Sequence, residues 1–133
     1  MISRIRERAY SLIGAELEKA GIRGIVPSHG SILITLYRED RPLAMKEIAE
    51  RIGKTQPTVT VLVEKLIEHG FVTREKDSRD ARRHFVQLTD RGREFKNTFF
   101  EISNCVNERL FAGFSNLEQE LLEKLLQKML DNL

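Results

Sequence analysis

Apolar residues at Ile2, Ile5, Ala9, Leu12 and Ala20, widened by Ile13 and Leu17, repeat at helical spacing. They predict an amphipathic helix over residues 2–20. Gly21 and Gly24 interrupt it, and Pro27 ends any continuous element. Ser28 then reads as the N-cap of a helix reaching Glu39, with Ile32, Leu33, Leu36 and Tyr37 as its buried stripe. A short helix over Met45–Ile52 would bury Ile48, Ala49 and Ile52. Gly53 breaks the pattern, Thr55 is positioned to cap the next helix, and Pro57 falls in its first turn, where a missing amide hydrogen costs nothing. Val59, Leu62, Val63, Leu66 and Ile67 carry that helix to His69-Gly70.

The period then changes. Phe71–Arg74 and His84–Leu88 read as strands joined by a polar segment, a hairpin with a charged tip. Thr89 is a further N-cap, and Phe95, Phe99, Ile102, Val106 and Leu110 predict one long helix from Asp90 to about Ala112. Gly113 breaks it. Ser115 and Glu118 have capping-box spacing for a last helix striped by Leu117, Leu121, Leu122, Leu125, Met129 and Leu133, and broadened by Leu126 and Leu130. No internal repeat or long linker divides the 133 residues, so one domain is expected. The fold class is mainly α with a small β-hairpin wing.

The order helix, short helix, glycine turn, helix, strand, charged loop, strand is that of a winged helix-turn-helix, whose second helix is presented to the DNA major groove. Ala49 is small enough for two tightly crossed helices, and Gly53 suits the turn. Lys54, Thr55, Gln56, Thr58, Thr60 and Lys65 surround the front of the proposed recognition helix. Gln and Thr can meet base edges or phosphates, and Lys can neutralise phosphate. Each also has a plainer role as cap or solvated surface. Residues 71–83 hold five basic residues (Arg74, Lys76, Arg79, Arg82, Arg83) and three acidic ones (Glu75, Asp77, Asp80). A basic hairpin tip suits a minor groove, where negative potential attracts arginine. Asp77 or Asp80 can hold an arginine in place through a charge-assisted bond.

Composition adds limits. Hydrophobic residues make up 41% and charged residues 32%, which supports a packed core and a wet surface and argues against disorder. The net charge of +2 is too mild to establish nucleic-acid binding by itself, so the placement of the basic residues decides. The single cysteine, Cys105, excludes an intrachain disulfide and reads as a half-buried filler. No apolar run approaches the roughly 18 residues of a membrane span, and no signal-type stretch opens the chain. A cytoplasmic protein without membrane contact is expected. No nucleophile–base set points to an enzyme. His29, His69, His84 and Cys105 lack metal-site spacing, so neither metal nor cofactor is expected.

Asp77-Ser78-Arg79-Asp80-Ala81-Arg82-Arg83, followed by Val86-Gln87-Leu88-Thr89-Asp90-Arg91-Gly92, resembles the wing and next helix start of the MarR family of transcriptional regulators. Leu43–Ala49, Thr58–Leu66 and Gly70-Phe71-Val72 resemble it too. The resemblance implies a triangular homodimer built by the first and last helices, with residues 1–20 and 93–133 dimerising and residues 28–92 forming the winged DNA-binding region. It implies binding to pseudo-palindromic double-stranded DNA, with Arg79 as the wing-tip arginine and Asp77, Asp80 and Arg82 at wing-shaping positions. It also implies a repressor released by a small aromatic or lipophilic effector. That effector's pocket is expected where the helix after Thr89 meets the winged region, lined by Phe95 and Phe99, or by Tyr10, Tyr37 and His29. Apart from the resemblance, the surplus leucines of the last helix point to a second subunit. The rival reading is a winged-helix module that binds protein without direct DNA readout.

Overall fold

The computed structural model describes residues 1–133. Seven helices surround a three-stranded antiparallel sheet. They are α1 (Ile2–Lys19), α2 (Pro27–Glu39), β1 (Leu43–Ala44), α3 (Met45–Ile52), α4 (Gln56–Glu68), β2 (Val72–Lys76), β3 (His84–Leu88), α5 (Asp90–Glu94), α6 (Lys96–Leu110) and α7 (Asn116–Asp131). The strand order is β1-β3-β2.

Most of the core lies in the middle of the chain. Ile32, Leu33 and Leu36 of α2 meet Ile48 of α3, Val59, Val63 and Leu66 of α4, and Leu43, Phe71, Val72 and Val86 of the sheet and its approach. All are almost entirely removed from water. Gly53 ends α3 at φ 67°, and the Lys54 amide donates back to the Ala49 carbonyl over 3.1 Å. This left-handed residue turns the chain between the two helices without a Cβ penalty. Ala49 is buried at the crossing, as its small size suggested.

Three local expectations need correcting. The second helix starts two residues earlier than an N-cap at Ser28 allows: Val26 is the extended N-cap and Pro27 occupies the first turn. Its cap is the His29 side chain, whose Nδ1 accepts from the Val26 amide at 2.9 Å. Pro27 therefore begins an element, because its fixed φ suits a helix start. Leu43–Ala44 form a strand that two residues of pattern cannot announce; they pair with Val86 and Phe85. The helix expected over 90–112 divides at Phe95. Backbone bonds from Phe95 to Arg91 and from Phe99 to Phe95 cross the join, so the hydrogen-bond ladder continues through it. The short α5 is pinned to the sheet: Thr89 Oγ1 accepts from the Gly92 amide at 3.0 Å and donates to the Gly70 carbonyl. The Tyr37 hydroxyl donates to the Gly92 carbonyl at 2.7 Å. Phe95 stacks on Phe71 with centroids 4.9 Å apart, at the point where α6 leaves that anchorage.

The His29 cap predicts a pH response. Burial holds its pKa below the ordinary 6.5, and the charges of His69 and Lys65 push the same way. The capping nitrogen must be unprotonated to accept the amide hydrogen. Below about pH 6.5 the unfolded chain binds a proton that the folded chain resists, so stability falls as the pH drops through that region. Melting curves from about pH 7 to about pH 5 should show this slope, and His29→Gln should flatten it. Equal slopes in the two proteins would remove His29 as the cause.

The terminal helices are built differently. α1 packs on α6 through the side carrying Ile13 and Leu17, while Ile2, Ile5 and Tyr10 stay exposed. α7 starts on the expected box, with Ser115 Oγ accepting from the Glu118 amide and Glu118 Oε1 accepting from the Ser115 amide. These bonds hold the Glu118 carboxyl below the usual carboxylate range. No residue of α7 is buried; Leu117 is 78% exposed and Leu130 65%. No helix is long and apolar enough to cross a membrane.

Candidate nucleic-acid interface

The wing and the helix-turn-helix enclose one open groove of about 760 Å³. Gln56 and Thr60 of α4 form one wall, and Arg74, Arg82, Arg83 and His84 of the wing form the other. Lys46, Glu47 and Glu50 of α3 close the end. Glu47 is engaged: Arg41 reaches it at 3.0 Å and draws its pKa down, and it also accepts from the Ala44 amide. Arg41 further pairs with Glu39, which also binds Arg51.

The α4 helix starts where the sequence places it. Thr55 is the extended N-cap, its Oγ1 accepting from the Thr58 amide at 3.4 Å and lying 3.0 Å from the Thr58 hydroxyl. The Thr60 hydroxyl donates to the Gln56 carbonyl at 3.0 Å. Both Thr55 and Thr58 hydroxyls therefore have an intramolecular partner, while the Gln56 amide is exposed and unengaged by the hydrogen bonds of this helix. Lys54 projects at the turn between α3 and α4, beside Lys46 and Glu50. Lys65 departs from the grouping expected of it. It sits toward the far end of α4, pairs with Glu68 at 3.3 Å, and packs its stem near Gly24. The spacing Thr58–Lys65 gives the same helix but nearly two turns of separation.

The wing tip owes its shape to two aspartates. Asp77 Oδ1 accepts from the Arg79 amide at 2.9 Å, and Asp80 Oδ1 accepts from the Arg82 amide at 3.0 Å. Backbone bonds from Asp77 to Arg83 and from Arg83 to Asp80 close the turn. Asp80 also lies 3.4 Å from Arg82 Nε. The carboxylates thus act mainly on the backbone, as Asx turns do, and leave the arginine heads toward water. The Arg82 side chain is almost fully exposed, and Arg83 lies over the Phe85 ring at 5.2 Å. Arg79 stands at the tip, outside the groove wall.

Sequence reasoning named the basic residues of the hairpin but did not single out Arg74, Lys46 or His84 for the groove. Arg74 had only its charge as a signal: alternation places it on the same face as the buried Val72, and β2 is exposed throughout after Val72. Lys46 and His84 gave none, since the groove forms from segments about forty residues apart in the chain.

A second depression, of about 380 Å³, lies between α1, the start of α2 and α6. Its apolar lining includes Ile13, Leu17, Leu33, Phe95, Phe99 and Ile102. Phe95 and Phe99 are therefore together, as expected. Tyr10, His29 and Tyr37 do not line it. Tyr10 is exposed on α1, His29 caps α2, and Tyr37 is buried against Phe99 and Phe100 with its hydroxyl on Gly92. Cys105 is half-buried on α6 and free.

The family model for the MarR family matches residues 23–83, the stretch that carries the helix-turn-helix and most of the wing. The HTH-type transcriptional regulator YkoM of Bacillus subtilis (strain 168) is 30% identical over 126 residues, covering 94% of this chain and 81% of that one. The transcriptional regulator HosA of Escherichia coli O157:H7 is 31% identical, covering 69% of each chain. The S. aureus MepR–DNA complex superposes with a TM-score of 0.86 at 26% identity, covering 98% of this chain and 93% of that one. Fold, wing and relatives agree: this chain belongs to the MarR family of transcriptional regulators.

Proposed function

We propose that this protein is a homodimeric repressor that binds pseudo-palindromic double-stranded DNA and is released by a small effector. The groove framed by α4 and the wing carries this reading, since it joins a helix of major-groove width to exposed arginines on one surface. MepR, a structural neighbour, is described in complex with DNA. Residues 28–92 act as the DNA-binding region, and residues 1–20 and 93–133 as the dimerising one. Two copies related by a two-fold axis match two half-sites. Such a regulator works in the cytoplasm, where the chromosome is. The depression lined by Phe95 and Phe99 is the effector site of this reading. Ser31, Ser103 and Asn107 give it hydroxyls and an amide but no cation, so its chemistry suits a neutral aromatic or lipophilic molecule better than a carboxylate.

The test divides the surface into two roles. Operators selected from random duplexes, and their single-base variants, are titrated at several salt concentrations. Arg79→Ala should weaken every site and lower the salt slope by at most about one, because it removes one phosphate-directed charge. Gln56→Ala should reorder the base preferences, by roughly 1–3 kcal/mol at one position if its amide makes a bidentate contact. The same titration with added phenols reads effector release. An Arg79→Ala protein with unchanged affinity, together with a uniform loss in Gln56→Ala, would overturn the division. A folded protein that bound no duplex at low salt would favour the protein-interaction module instead.

A further inference from the structure

Within residues 28–92, Val61 and Ile67 are the large hydrophobic side chains left exposed, Ile67 marginally at 37% and Val61 at 67%. The buried stripe of α4 is Val59, Val63 and Leu66. At 3.6 residues per turn, Val61 stands roughly 200° from Val59, on the side opposite the core. Pro57, one turn earlier, is exposed on the same side. Gln56 and Thr60 flank this apolar ridge on one side and Thr58 on the other. A β-branched residue at an exposed helix position is a poorer helix former than alanine, and here it has no packing to compensate. The free chain supplies no reason for it.

The face that Val61 occupies is the one that enters the major groove under the DNA-binding reading, on which this inference rests. Among the base edges there, the apolar group is the C5-methyl of thymine. We propose that Val61, supported by Pro57, reads a thymine methyl in each operator half-site. The hydrogen-bonding residues beside it, with Gln56 foremost, then read the neighbouring positions. Val61 is a specificity residue through shape and dehydration, and carries no charge to contribute to the salt slope.

Deoxyuridine differs from thymine by that methyl alone and keeps every hydrogen-bonding group, so it isolates the contact. The full chain is titrated with its selected operator, in which each thymine is replaced in turn by deoxyuridine. One position per half-site should weaken binding by about fourfold, the worth of one buried methyl-sized group. Val61→Ala should bind the thymine and deoxyuridine forms of that site equally, with an unchanged salt slope. Alanine is the better helix former, so the variant keeps its fold. The proposal is overturned if the wild type binds its operator but is indifferent to every substitution, if the penalty persists undiminished in Val61→Ala, or if the selected half-site contains no thymine. Those results leave the DNA-binding reading standing. Failure to bind any duplex would remove that reading and this contact with it.

Discussion

Gly92→Ala is expected to destabilise the protein by about 3 kcal/mol, at the upper end of overpacking costs, and to lower the melting temperature by on the order of 10 °C. A Cβ at this position would stand 2.1 Å from the Phe71 carbonyl oxygen and 3.2 Å from Leu88 Cδ2. The obstruction is backbone, so no rotamer change relieves it. The Phe71 carbonyl also accepts from the Thr89 amide at 3.0 Å, and Gly92 itself takes the Tyr37 hydroxyl bond. Moving α5 away from the sheet would strain both bonds, and an unsatisfied buried acceptor adds its own cost. Urea unfolding monitored by circular dichroism measures the loss. A variant as stable as the wild type would show that α5 is not held against the wing base in this way. The Leu-Thr-x-x-Gly run after the wing thus has a mechanical basis: Thr89 caps, and Gly92 is the one residue thin enough to lie against Phe71.

The second large effect concerns α7. Leu121→Glu combined with Leu125→Glu is expected to convert a dimer of about twice 15.4 kDa into a monomer at micromolar concentration. Both leucines are exposed in the single chain, and α7 buries none of its residues. Burying a leucine is worth roughly 1.5–3 kcal/mol, and two-fold symmetry counts each substitution twice. The same changes leave the central core untouched, so the helix content of residues 28–92 should persist. Operator affinity should fall on the order of a hundredfold, because one half-site is then bound without its tethered neighbour. Sedimentation checks the mass and a DNA titration the affinity. A double variant that still sediments as a dimer would refute a leucine-built interface. A wild-type chain that is monomeric at the outset would refute the dimer itself.

Features that depend on residues within a turn or two of one another were legible along the chain. Thr55, Thr89 and Ser115 cap helices because a side-chain oxygen needs only an amide three residues on. The wing was legible because the change from helical to alternating period brackets a tip too polar to bury, and Asp77 and Asp80 act on amides two residues away. The leucine surplus of the last helix was equally visible. Features that join distant segments emerge only when the chain packs. Leu43 finds Val86 and makes a strand of two residues. Tyr37 crosses 55 residues to Gly92, which takes it out of the effector site assigned to it from the sequence. The His29 cap falls outside that division: it acts on an amide only three residues away, and it escaped notice because histidine is not among the usual N-cap residues. Lys46, Arg74 and His84 join Gln56 in one groove only because α3, α4 and the wing converge. Val61 shows the boundary: its apolar character is plain in the chain, but helical spacing alone groups it with a nearly continuous run from Val59 to Val63. Only packing decided that Val59 and Val63 go inward and that Val61 is left facing out, since a helix can turn one side to its core and must present the other to whatever it meets.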